Sequence, residues 1–284
     1  MSVPPVSLRG VRAKLERADK HIADLAMLTE PLAQRATDSI VREEHFKVYF
    51  ETCHPRFVYR VTRIPEVDAL CSTLVGDALY NMRSALDHLA AQLAFRDGVL
   101  PDDLANNAYF PIHGESVNAK GNPRHIGIPG VTDAKVIDAL KDIQPYQALE
   151  DYGHAVWNQA LWLVNKLCNI DKHRLLLVMV HRLDMDAPNF PWWEGTNVAG
   201  FNMTLKPLAP NDVIAWFDFR GVPDANFDPH ISLAVSLDEG PPGSWPRSRS
   251  IAEFLSGLRH SITSDINWRF LHFFPDEPMI VGPK

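Results

Sequence analysis

"EVDALCSTLVGDALYNMRSALDHLAAQLAFR", residues 66–96, decides the fold class. Leu70, Leu74, Ala78, Met82, Leu86, Leu89 and Leu93 recur every three or four residues, which places them on one face of a helix. Pro65 sets the start of that helix and Glu66 and Asp68 suit its positive first turn. Gly98 and Pro101 follow its end. A second stripe, Asp77, Asn81, Ser84 and His88, runs along the same helix, and Arg83 and Asp87 stand four residues apart. A core helix that carries Arg, Asp and His raises the functional question.

Outward from this helix the chain alternates between helical and extended patterns. Residues 7–36 repeat Val11, Leu15, Ile22, Leu25, Leu28 and Leu32 at helical spacing, with a bend expected at Pro31. Residues 45–63 read as a β-hairpin: Phe46, Val48 and Phe50, then Phe57, Tyr59 and Val61, alternate with polar residues about a turn at Thr52–Pro55. Residues 98–131 are rich in Gly, Pro and Asn and read as loop, with "AYFPIHG" (108–114) as an anchor. A short helix over 132–143, capped by Thr132, and a longer one over 153–173 follow. "RLLLVMVHRL" (174–183), "AGFNMTLKPL" (199–208), "DVIAWFDFR" (212–220) and "HISLAVSL" (230–237) read as strands, and 249–273 as the last helix. This order predicts an α+β protein in a single domain, 1–284. It comprises a bundle of four or so helices (7–36, 66–96, 132–173, 249–273), the hairpin 45–63, and an antiparallel β-sheet inserted at 174–240.

Composition narrows the functional classes. The net charge is −7, and residues 184–240 hold nine acids against Lys206 and Arg220, so the predicted sheet carries the whole excess. Residues 1–64 hold eleven bases and eight acids. A broad basic face for nucleic acid is therefore excluded, and any RNA is held locally. No run of about eighteen apolar residues is present, so no membrane span is expected. Cys53, Cys71 and Cys168 are odd in number and lack CxxC spacing, which suits reduced thiols and a cytoplasmic location.

The second helix adds a polar row. In "WNQALWLVNKLCNIDKHR" (157–174), Asn158, Asn165, Asn169 and His173 are spaced by seven, four and four. Asn is a poor helix former, so three on one line suggest side-chain hydrogen bonding. Asp171, Lys172, His173 and Arg174 crowd the helix end, where the cations also complement the negative C-terminal dipole. The stripe 77/81/84/88 is expected to face the stripe 165/169/173, gathering Arg83, Asp87 and His88 with Asn81, Asn165, Asn169, Asp171, Lys172, His173 and Arg174. The plainer reading of Arg83 and Asp87 is a surface ion pair worth less than about 1 kcal/mol.

Arg83 and His88, in "R-SALD-H", resemble the R-x4-6-H motif of the HEPN superfamily, the helical nucleotide-binding domains shared by higher eukaryotes and prokaryotes. The resemblance implies a metal-independent endoribonuclease with no cofactor, acting on RNA as a homodimer. Arg83, His88 and Asp87 would then be the catalytic group: His88 moving the proton and Arg83 stabilising the phosphorane-like transition state. Ser84 stands where that family often has Asn, Asp or His. "NMRSALDHLA" (81–90) with "NIDKHR" (169–174) also resembles a group of uncharacterised bacterial or phage proteins.

Two other classes stand beside the nuclease. A non-enzymatic binding or scaffold protein would use an acidic sheet face to meet a basic protein partner. A bundle metalloprotein would draw ligands from Asp87, His88, Asp171 and His173, although neither helix carries HxxxH, HExxH or ExxH. GxSxG and GK[ST] motifs are absent. A nuclease requires Arg83 and His88 exposed in a basic-rimmed cleft; a scaffold requires them committed to the core.

Overall fold

The computed structural model describes residues 6–49, 52–99, 109–147, 159–184, 197–203, 207–223, 227, 229, 231–240 and 244–282. The protein is α+β. Its elements are α1 (Arg9–Thr37), β1 (Ile40–Tyr49), β2 (Thr52–Val61), α2 (Ala69–Arg96), α3 (Ala134–Asp142), α4 (Ala160–Asp171), β3 (Val178–Asp184), β4 (Val198–Met203), β5 (Val213–Phe219), β6 (Ser232–Leu237) and α5 (Ile251–Asp265). A π-turn (Ile266–Phe270) and a 3-10 turn (Leu271–Phe273) continue α5. No described helix is long and apolar enough to cross a membrane.

The chain gathers into two compact units, each assembled from separated segments. The helical unit comprises Met1–Asp24, Ser72–Leu176 and Ala252–Lys284; the sheet unit comprises Leu25–Cys71 and Leu177–Ile251.

In the helical unit, Leu8, Val11, Leu15, Val75, Leu79, Met82, Leu86, Leu89, Phe254, Leu258 and Ile262 are buried. The apolar face read for residues 66–96 thus serves as a core, displaced by one position at Leu70, which is exposed. Helix α2 starts three residues later than expected because Asp68 is its cap: its carboxylate accepts from Leu70 N at 2.8 Å. Its other end closes as a Schellman turn at Gly98 (φ +85°), with Val99 N donating to Ala94 O and Gly98 N to Phe95 O. The cap of α3 is Asp133, which accepts from Lys135 N, and not Thr132. Thr132 instead donates its own N–H to Asp97, the residue just beyond α2. Arg96 reaches Asp97 and Asp133 together and holds the Asp133 carboxyl below its usual range.

The segment after α5 is irregular yet tied down. Glu277 accepts from Leu8 N and pairs with Arg12, so an acid sits at the start of α1. Asn267 exchanges two hydrogen bonds with the backbone of Ile280. Arg259, 3% exposed, pairs with Asp19 and donates to Val281 O.

In the sheet unit, the expected inserted sheet is not self-contained. Strands β4 and β5 join the early hairpin in one antiparallel sheet of order β1-β2-β5-β4, while β3 and β6 pair separately. Five of the seven residues of β5 are buried, and they fall on both faces; such a strand needs a neighbour on each side. Register places Phe57 opposite Phe217 and Phe201 opposite Phe217, so Phe57, Phe217, Phe219 and Phe227 form one aromatic cluster. The hairpin also starts earlier than expected. Thr52–Pro55 is strand and not turn: Tyr49 pairs with Thr52 and Phe46 with Pro55. Proline is accepted there because pairing of β2 with β5 begins only at Arg56. Helix α1 runs through Pro31 unbroken, and the first extended segment after α4 is strand only from Val178. The expected start of α4 at 153 lies outside the described residues through 158; the described helix begins after Gln159.

Candidate functional site

The charged pair on α2 has a structural task. Arg83 Nη2 donates to Phe110 O at 2.8 Å, and Asp87 Oδ1 accepts from Phe110 N at 2.9 Å. The two side chains lie 3.1 Å apart and close a ring around the backbone N–H and C=O of one residue. Phe110, 1% exposed, is thereby buried with its backbone satisfied. Its ring packs edge-on to Phe270 with centroids 5.8 Å apart. Gln144 repeats the device two residues on, donating to Pro111 O and accepting from His113 N. Residues 109–114 are therefore an anchor held by three polar side chains. Burial pushes the Asp87 carboxyl up, against the opposing pull of Arg83.

His88 takes no part in this clamp. It lies about 140° around the helix from Arg83, at 100° per residue. It is exposed and sits beside Gly10 of α1: a Cβ at Gly10 would stand 2.8 Å from His88 Nδ1. Within one chain, Arg83 and His88 thus address different neighbours.

Helix α4 meets α2 through other residues than the expected stripes. Asp171 lies against Gly76, where a Cβ would be 2.4 Å from Asp171 Oδ2. Burial and nearby Asp77 raise the Asp171 carboxyl. Cys168 is buried within electrostatic reach of Arg83, Lys172, Asp171 and Asp87, and burial pushes its thiol up to about 12, so it is an inert packing thiol. Asn81 donates to the backbone of Asp77 in its own helix. Asn165 is half-buried, while Asn169 and His173 turn to solvent. Asn158 lies outside the described residues.

Those outward residues shape a cleft of about 380 Å³, lined by Lys166, Asn169, Ile170, His173 and Arg174. Helix α4 supplies three of the five, Lys166, Asn169 and Ile170, and His173 and Arg174 follow the helix end. Lys172 Nζ lies 3.5 Å from Asn169 Oδ1. Among the described residues the lining holds no carboxylate, because Asp171 faces the opposite way, toward α2. Lys166 and Ile170 were not singled out from sequence. Their signal is the spacing of four that runs 166, 170, 174 beside the asparagine row.

The remaining candidates resolve differently. Among the described residues, no group of three or more His, Cys, Asp or Glu side chains is placed to hold a metal, so Asp87, His88, Asp171 and His173 do not form one. Four acids of the segment 184–240 are engaged or buried. Asp218 forms two hydrogen bonds with Arg56, one at 2.7 Å. Asp238 pairs with Arg247, Asp212 accepts from Ala209 N, and Glu239 is buried. The acidic segment therefore spends much of its charge inside its own unit. Comparison with protein-family models, curated proteins and solved structures finds no match.

Proposed function

We infer that the chain is a non-enzymatic binding protein whose ligand carries negative charge and seats in the cleft at the end of α4. The observation that carries this reading is the lining: Lys166, His173 and the Asn169 amide, with no acid among the described residues, in a chain of net charge −7. A cleft of about 380 Å³ falls within the usual range for small-ligand sites. The use of Arg83 and Asp87 to hold Phe110 supports the same reading, since it removes two of the three groups that RNA cleavage would require.

Calorimetric titration with small anions tests it. Saturable binding that is lost in Lys166→Ala/His173→Ala, with an unchanged circular dichroism spectrum, is the expected result. RNA cleavage without added metal that disappears in His88→Ala would replace this reading with a HEPN-type endoribonuclease, and a dimer in sedimentation would then bring two copies of His88 together.

A further inference from the structure

Trp268 is 86% exposed, more than any other large apolar side chain among the described residues. It stands in the π-turn after α5, where Ile266 and Phe270 take the core positions and leave it outside. Turns of this kind recur at functional sites. Its neighbour Asn267 donates to Ile280 O at 2.7 Å and accepts from Ile280 N at 2.9 Å, which lays the C-terminal segment against the π-turn. Ile280 is buried, whereas Met279 and Val281 on either side of it are 65% and 73% exposed. Three large apolar side chains thus border one double hydrogen bond, all within the helical unit. A further bond, from Arg259 to Val281 O, holds the segment down, so the surface is preformed. An apolar patch on a fixed backbone marks a contact surface, whereas apolar residues scattered singly do not.

We propose that Trp268, Met279 and Val281 form the two-fold contact of a reversible dimer between two copies of this chain. Charge, chemistry and area each favour a second copy as the occupant. Of the ionisable groups on residues 256–282, Arg259 pairs with Asp19, Arg269 with Asp265 and Glu277 with Arg12. His260, His272 and Asp276 complete the set, so each arginine there is matched by an acid of its own unit. A nucleic acid, an acidic peptide or an anionic lipid headgroup therefore gains little from this surface. A neutral contact also spares two copies, each of net charge −7, a like-charge clash at the interface. The surface is complementary to itself. A two-fold axis sets each residue against its opposite number twice, so the indole of each copy meets the Met279 and Val281 of the other. Thioether sulfur against an aromatic ring is a favourable contact. The three side chains expose roughly 400–500 Å² per copy, so the pair buries roughly 900 Å². That lies below permanent interfaces and among transient ones, which sets a Kd on the order of tens of micromolar.

Analytical ultracentrifugation of the full chain over a concentration series tests this. The sedimentation coefficient should pass from monomer to dimer with a midpoint on the order of tens of micromolar. Raised salt should leave the midpoint in place or lower it, since apolar burial and not ion pairing holds the contact. Trp268→Ala should weaken the dimer at least about tenfold, as loss of a central aromatic anchor does. Met279→Glu sets a carboxylate into each half of the contact and should abolish it. Both positions are exposed, so the dilute variants should melt with the parent. His88→Ala should dimerise as the parent does. A chain that stays monomeric throughout the series overturns the proposal. So does a dimer that survives both Trp268→Ala and Met279→Glu, or one that falls with His88→Ala, since its interface then lies elsewhere. Open assemblies larger than two overturn the two-fold contact. Capture of the monomer by neutral phosphatidylcholine vesicles, lost in Trp268→Ala, overturns the second copy as the occupant.

Discussion

Removing Arg83 should unfold the helical unit more easily than removing His88, five residues away. Arg83→Ala deletes a charged donor 2.8 Å from Phe110 O and leaves Asp87, 3.1 Å away, without its counter-charge. One hydrogen bond to a charged group is worth about 1.5–3 kcal/mol, so a loss of roughly 2–3 kcal/mol follows. Asp87→Ala orphans the buried Phe110 N–H and should cost a similar amount, about 1–3 kcal/mol. Both act on the backbone of Phe110, so the double variant should fall short of the sum by about 1 kcal/mol. His88 is exposed, and His88→Ala should stay within about 0.5 kcal/mol of the parent. Urea titration followed by far-ultraviolet circular dichroism reads all four, and in a chain of this size about 1 kcal/mol moves the melting temperature by roughly 2–4 °C. If Arg83→Ala matches the parent in stability, the clamp is not what Arg83 is for, and the guanidinium is free for chemistry.

Two glycines on neighbouring helices should respond oppositely. Gly76→Ala drives a Cβ into the half-buried Asp171 carboxylate and should cost about 1–3 kcal/mol by urea titration, whereas Gly10→Ala meets only an exposed imidazole that swings aside, and should be near neutral. Arg259→Met strands Asp19, whose carboxyl burial already raises, and should cost about 3–5 kcal/mol; adding Asp19→Leu should recover much of that loss in the same assay. Burial raises Asp265 from 3.8 to about 6. The folded state therefore keeps this proton where the unfolded chain has lost it, so Asp265 contributes stability below about pH 4 that is lost as pH rises to 6. Asp265→Asn should flatten the melting-temperature profile across that interval, and a carbon-detected titration should place the Asp265 midpoint near 6.

The helices were legible because their apolar positions repeat at helical spacing and their ends carry local signals such as Asp68 and Gly98. The shared sheet was not, because pairing of β2 with β5 joins residues more than 150 positions apart, and alternation within a strand names a face but no partner. The anchor role of residues 109–114 was visible in outline, yet nothing local shows that Arg83, Asp87 and Gln144 would converge on it, since a backbone carbonyl leaves no trace in the sequence. Arg83 and His88 looked like partners by proximity in the chain; helix geometry sends them to different neighbours. The asparagine row on α4 stands out for its poor helix propensity, yet Asn169 and His173 border solvent and not α2.

The most direct test of where this chain meets its ligand is an amide-resolved nuclear magnetic resonance titration with inorganic phosphate as the small anion. Shifts concentrated on residues 166–174, with Arg83 and His88 unmoved, are the predicted result. Shifts centred on Arg83 and His88, or none across 166–174, would contradict it.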